Sequence, residues 1–353
     1  MQLKLTKSQQ IKKWALIAVG LAIFCALPFL LGKAYYIHVA IMCLFWAYMS
    51  TAWNMLCGFS GLLSLGHGIY VATILVNNFN ITPLVGLVVA CAIAALVAVL
   101  IGFPIFNLRG AYYALSSVAI GEGVVVLLTN FREWKISDDL IIKIGGAEGL
   151  TMKTINSPLF LQWKSKIPYY FIILGLLIIS ILVSRAIKRS KLGFQLQAVK
   201  DDEDAARALG INVRRVKLIA AGISGAFTGL GGVFYALIVR FLEPAAVASG
   251  ATMSNQIVFG AIVGGSGTVF GPAVGGLILN LVSSVIQYFL GGSVQGLHLF
   301  IYGIIIVVII LFKPTGIISV FEKLYYKYLG VTISEGLDSE SAEASEGGAI
   351  NGE

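Results

Sequence analysis

RSKLGFQLQAVKDDEDAARALGINVRRVK, residues 189–217, is the most densely charged stretch of the chain and lies between two long apolar runs, 169–187 and 218–239. A polar island between segments of about 20 apolar residues each reads as a loop joining two bilayer crossings. Lys188, Arg189, Lys191, Lys200, Arg207, Arg214, Arg215 and Lys217 outnumber Asp201, Asp202, Glu203 and Asp204, so the positive-inside rule puts 188–217 in the cytoplasm. The middle of the island predicts a helix over 202–209. It has no Pro, Gly or β-branched residue, its acids come first and Arg207 late, and Gly210 is a natural stop. Ala205, Ala206 and Leu209 fall on one side of that helix, a small knob suited to a shallow groove in another protein.

Working outward, the composition agrees with the island's flanks. With 58% hydrophobic and 12% charged residues in 353 positions, the chain has too few charges for a soluble domain of its size. The expected class is all-α, a polytopic helical membrane protein with roughly 8–10 transmembrane or re-entrant helices. The net charge of +8 comes from basic residues that bracket spans, so it reads as topology and not as a nucleic-acid surface. Cys25, Cys43, Cys57 and Cys91 lie in apolar stretches without a CxxC pair, which suggests neither disulfides nor a metal site.

Along the chain, a basic cytoplasmic segment at 1–13 precedes a membrane body over 14–318. Apolar runs at 14–31, 35–57, 69–79, 84–106 and 112–130 are each able to cross or partly cross the bilayer. The run at 35–57 ends in GFSGLLSLGHG, residues 58–68, where glycines interrupt the hydrophobicity; backbone broken at that depth must be buried in protein or line a cavity. A polar loop at 131–167 falls outside by span counting, although its lysines sit awkwardly there. In 218–239, Ala221, Gly225 and Gly229 recur every fourth position, a spacing that lets two membrane helices approach closely. A second glycine-rich break follows within 255–276, then two more runs, ending at 290 and spanning 297–312. Residues 319–330 are an interfacial amphipathic segment with a cytoplasmic end, and 331–353 is an acidic tail expected to be disordered.

Little in the chain can carry chemistry. There is no Ser-His-acid cluster and no HExxH, and GGSGTVFG at 264–271 lacks the lysine of a phosphate-binding loop. Polar groups inside spans are the better clues, because each is costly unless paired or wetted. Glu122 lies about 16 Å into its span, near the bilayer centre, and Arg109 is about 20 Å away along the same axis. Glu122 therefore either meets another helix or lines a hydrated path. Asn280, Ser283, Ser284 and Gln287 form one helical face that either lines a pore or bonds to neighbouring helices. Ser50 and Asn54 repeat that pattern on a smaller scale, and His67 reads as a polar cap at the first break or as a proton relay. The two breaks, near Gly61 and Gly267, match the discontinuous helices expected beside a transport site.

In order along the chain, GFSGLLSLGHG, LRGAYYAL at 108, IGEG at 120, IGGAEGL at 144, the island, EPAAVASGATMSNQIVFGAIVGGSGTVFGPAVGG at 243 and GLHLFIYGIIIVVIILFKPTGI at 296 closely resemble the M-type permease subunits of branched-chain amino acid ABC transporters, the LivM family. The resemblance covers roughly 52–317. It implies an importer in the bacterial inner membrane, in which this chain pairs with an H-type permease subunit. Two cytoplasmic ATPase subunits that hold ATP and Mg, and an external solute-binding protein, would complete it. The chain itself would bind no cofactor and no metal. The island looks like the family's coupling loop, with Glu203, Asp204, Ala205, Ala206, Leu209 and Gly210 in the positions that meet the ATPase. Asn54, His67, Glu122, Asn280, Ser283, Ser284 and Gln287 are the expected substrate pathway. The chain departs from the family's pattern at Ile144 and Glu148, in a loop that bears on cargo choice. Related permeases for urea or polar amino acids share the layout, and a proton-coupled transporter using Glu122 and His67, or a passive channel or scaffold, is the reading from another class.

Overall fold

The computed structural model describes residues 19–20, 22–60, 83–108, 110–131, 133–137, 140–143, 146–151, 162–163, 165–243, 253–290, 297–313 and 316–321. Two units are present, one of residues 1–30 and 318–353, the other Leu31–Ile317. In the first, residues 22–30 and 318–321 are helical, and Phe29 and Leu30 turn their side chains outward. The sequence reading placed 14–318 in one body; the larger compact unit begins at Leu31.

The larger unit is helical. Its order is α1 (Ala34–Asn54), α2 (Cys57–Ser60), α3 (Pro83–Ile105), α4 (Gly110–Asn130), α5 (Ile167–Arg189), α6 (Lys191–Asp201), α7 (Glu203–Ala208), α8 (Val213–Val239), α9 (Asn255–Gly264), α10 (Gly271–Leu290) and α11 (Leu297–Phe312). Among the described residues, five helices are long and apolar enough to cross a membrane. The hydrophobic run decides which helices those are, and burial decides which one is central. Of the apolar window in α1, 72% is buried, against 22% in α3 and 28% in α10, so α1 is the axis and the others turn apolar faces outward. Packed around α1 are α5, α8, α9 and α10. Outward-facing Leu96, Leu100, Leu182 and Phe289 present the apolar surface a bilayer requires.

The small-residue stripe of α8 packs against α3. A Cβ on Gly225 would sit 2.6 Å from the Ala98 Cβ, and one on Gly229 would sit 2.6 Å from the Ala94 Cβ and 3.0 Å from the Ala90 carbonyl, so no larger side chain fits. Gly276 of α10 meets the backbone of α1 in the same way, at the Trp46 carbonyl.

The polar loop at 131–167 contains more order than its composition signals. β1 (Glu133–Ser137) and β2 (Leu140–Lys143) form an antiparallel hairpin with an irregular register between Lys135 and Ser137. β3 (Leu150–Thr151) pairs with β4 (Phe241–Leu242), joining this loop to the chain just after α8. The cause is local alternation of apolar and polar residues, as in EWKIS, too short to register against the surrounding membrane pattern. His67, the span at 69–79, most of the first glycine-rich break, the segment 322–330 and the tail lie outside the described residues.

Candidate functional site

Three capping side chains shape the charged island. Ser190 ends α5 and starts α6: its hydroxyl donates to the Ile187 carbonyl at 2.8 Å and accepts from the Gly193 N–H at 3.4 Å. Asp202 starts α7, its Oδ1 accepting the N–H groups of Asp204 at 2.8 Å and Ala205 at 3.0 Å. Those bonds, from Ala205 foremost, hold the Asp202 carboxyl below its ordinary value of 3.8. The cap is therefore fully present above that value and is lost as pH falls through the lowered one. At the other end of α7, Gly210 takes φ +81, its N–H reaches the Arg207 carbonyl at 2.9 Å, and the Ile211 N–H reaches the Ala206 carbonyl at 3.1 Å, which closes the helix in a Schellman turn. Asn212 then caps α8 by accepting from the Arg215 N–H at 3.0 Å. The sequence reading placed α7 and its stop, and it missed α6, whose apolar residues are too few to mark a helix. Lys191–Asp201 is helical because Gly193, Leu196 and Val199 fall inward at helical spacing.

The outward knob needs correction. Ala206 is 1% exposed and packs with Val199 and Val213 into a small core joining α6, α7 and α8. Ala205, Ala208 and Leu209 face outward, and Leu209 is 80% exposed. In a helix the step from Ala205 to Ala206 turns about 100°. That step puts one of two adjacent alanines inside and the other outside.

Glu203 belongs to the inner side as well. Its Oε2 accepts from Lys217 Nζ at 2.8 Å and its Oε1 from Arg207 at 2.6 Å. Lys217 is itself 1% exposed, so this ion pair latches α7 onto the first turns of α8. Arg214 adds a second tie: its guanidinium stacks 3.6 Å from the centroid of Phe103 and donates to the Phe103 carbonyl at 2.9 Å, which joins α8 to α3.

Beside the island lie the two breaks. Asn54, fully buried at the end of α1, donates to the Thr268 carbonyl at 2.9 Å and accepts the Gly267 N–H at 2.8 Å. Its amide is thus spent on the turn between α9 and α10, where Gly265 and Gly267 hold φ of +116 and +80. Ser50, one turn earlier, donates to the Ile257 carbonyl at 3.0 Å. Asn54 was expected on the substrate pathway, and the pair Ser50 and Asn54 either to line a pore or to bond neighbouring helices; their bonds hold α9 and the turn before α10 on α1.

The polar face of α10 grades from inside to outside. Asn280 accepts from the Cys43 thiol at 3.4 Å, and Asn280 and Ser283 line a small cleft with Trp46, Gln256, Leu279 and Tyr302. Ser284 is half-buried and Gln287 is exposed. Glu122 sits on the exposed side of α4, a peripheral helix that also turns Tyr112, Leu115 and Val126 outward. Sequence reasoning missed a separate cavity among α1, α3, α4 and α8, lined by Trp53, Phe106, Ser117, Ser224, Thr228 and Ser254. Ser224 and Thr228 stand four apart on α8, the spacing that marked Ser50 and Asn54, and that was the signal available for it. Ser224 and Thr228 donate to the carbonyls of Ala52 and Gly225, so their hydrogens point into backbone. Among the described residues no cluster of His, Cys, Asp or Glu is arranged to hold a metal.

The model of the branched-chain amino acid transport system permease component family matches residues 35–310. That is the body built by α1 to α11. The chain belongs to this family. Among curated relatives, the permease is 26% identical to the high-affinity branched-chain amino acid transport system permease protein LivM of Escherichia coli, over 87% of this chain and 75% of the relative. It is 26% identical to the probable branched-chain amino acid transport permease protein LivH of Methanocaldococcus jannaschii, over 72% and 80%. It is 27% identical to the autoinducer 2 import system permease protein LsrC of Salmonella typhi, over 56% and 55%. No solved structure matches the chain. The permease is a multi-pass membrane protein and a transport subunit.

Proposed function

We propose that this permease is the membrane-spanning subunit of an ATP-driven importer for branched-chain or other neutral amino acids in the bacterial inner membrane. An H-type permease subunit stands beside it, two ATPase subunits that bind ATP and Mg dock on the cytoplasmic side, and a solute-binding protein delivers cargo from outside. Both termini and the island 188–217 face the cytoplasm, as the basic residues of 1–13, of the island, and at Lys313, Lys323 and Lys327 beside the last span support. The single observation that carries the reading is α7: a short helix capped at both ends, latched through Glu203 to Lys217, and offering Ala205, Ala208 and Leu209 to solvent. A bare loop has no use for an exposed leucine on so rigid a mount. Force applied to α7 passes through the latch to α8 and, across the small-residue stripe, to α3, so these helices move as one body between outward-open and inward-open states.

Affinity purification of the full chain from its native membrane tests the reading. An ATPase subunit is expected to come with it and to be lost on Leu209→Asp, while ATP-dependent uptake in vesicles follows leucine, isoleucine or valine in a panel that includes polar amino acids and urea. Uptake that follows the proton gradient without any ATPase would replace this account with a proton-coupled transporter.

A further inference from the structure

The two breaks and the charged island meet at one point. Lys200 of α6 donates from Nζ to the Gly58 carbonyl at 3.2 Å, and Lys188, near the end of α5, donates to the Gly267 carbonyl at 3.2 Å. Gly58 lies in α2, just beyond the end of α1, and Gly267 lies in the turn between α9 and α10. A Cβ on Gly267 would sit 3.1 Å from the Gly58 oxygen and 3.2 Å from Lys200 Nζ, so both carbonyls and the Lys200 ammonium share one small cluster. Gly267 is gripped from both sides, its N–H by Asn54 and its carbonyl by Lys188. The Gly267 carbonyl lies in a turn outside any helix, and an ammonium is a stronger donor than a neutral N–H to offer it.

From this we infer that Lys188 and Lys200 are positioning residues for transport, coupling the island to the two broken helices. The inference rests on the functional reading above, because it takes 188–217 as the segment that the ATPase moves. The latch of Glu203 to Lys217 carries motion into α8 and α3, whereas the lysine pair ties the island directly to α2 and the turn at 265–270, which α8 meets only through α1, by way of Ser224 on the Ala52 carbonyl and Asn54 on the turn. Lysines that only snorkel to the membrane surface end in water. These two end on backbone carbonyls far away in sequence. Displacing α5 and α6 by even a few ångströms breaks both bonds or drags the turn with them, and Asn54 resists from the other side. The gripped arrangement is the one the structure holds, and the inference requires a released one beside it, as a coupling element does.

The test uses the full complex with its co-purified subunits in proteoliposomes. Lys188→Met and Lys200→Met, alone and together, keep chain length and remove the donors; Lys188→Arg with Lys200→Arg is the conservative control. The double methionine variant is expected to assemble and hydrolyse ATP as the wild type does while cargo taken up per ATP falls about tenfold, with the arginine pair restoring most of it. Wild-type uptake per ATP in the double methionine variant overturns the inference. Hydrogen exchange on the unsubstituted complex gives a readout independent of how the variants fold. Amides at 264–271 are expected to change protection on nucleotide trapping together with those at 203–210, and nucleotide-insensitive exchange at 264–271 overturns the inference as well. A wild-type complex without ATP-dependent uptake refutes the functional reading itself and takes the inference with it.

Discussion

Asn54 is the residue whose role changes most between sequence and structure. Its side chain is fully buried and makes two hydrogen bonds to backbone, so Asn54→Leu, nearly isosteric, strands the Gly267 N–H and the Thr268 carbonyl. Each stranded group costs about 1–3 kcal/mol, and the purified permease in detergent is expected to inactivate faster on heating, with the cargo KM of the surviving fraction unchanged. A raised KM at unchanged thermal stability would instead put Asn54 in contact with cargo. Glu203 and Lys217 make an asymmetric pair. Glu203→Gln leaves a lysine that is 1% exposed beside a neutral amide, a loss of about 3 kcal/mol, the low end for a buried pair because the Glu203 side chain stays 19% exposed. Lys217→Met removes the buried charge and costs less. The double variant recovers part of the loss, and a double-mutant cycle on thermal stability measures the coupling; additive effects would mean that the latch is not a pair.

At the scale of elements, α3 and α8 are held at a distance that only small side chains permit. Gly229→Leu drives a branched side chain into the Ala94 Cβ and the Ala90 carbonyl, and helices in lipid have no hydrophobic effect with which to compensate. The expected result is a loss of about 1–3 kcal/mol, read as lower yield of monodisperse protein and a lower melting temperature, with Gly303→Leu on α11 as the neutral control, since nothing lies within 4 Å of a Cβ there. Equal effects at the two glycines would show that propensity and not packing matters. The short elements behave differently. α7 survives at only 6 residues because its two caps and the Val199, Ala206 and Val213 core do the work that length does elsewhere.

For the whole molecule, the decisive property is which side of the bilayer each end of the helices occupies. In a background without Cys25, Cys43, Cys57 and Cys91, Leu209→Cys is expected to react with a membrane-impermeant maleimide only after cells are permeabilised, and Phe131→Cys, exposed just after α4, to react without it. Labelling of Leu209→Cys in intact cells would invert the orientation and remove the cytoplasmic ATPase from the account. The same experiment settles how the lysines of 131–167 should be weighed, because the positive-inside rule and span counting disagree there.

What the sequence determined by itself is everything that repeats locally. Runs of about 20 apolar residues placed the spans at α1, α3, α5, α8 and α10, the order of charges and Gly210 placed α7, and the fourfold spacing of Ala221, Gly225 and Gly229 marked a packing face. The family could be read as well, from the order of its motifs. Only the tertiary structure decided who meets whom. A membrane helix that is apolar on every side, as α3 is, carries no mark of which face turns inward, so the partners of the α8 stripe could not be named. Nor could the bonds from Asn54 to Gly267, Lys188 to Gly267, Lys200 to Gly58 and Lys217 to Glu203, because each joins segments that only the packing of whole helices brings together. Periodicity is a property of neighbours along the chain, and these contacts are a property of topology.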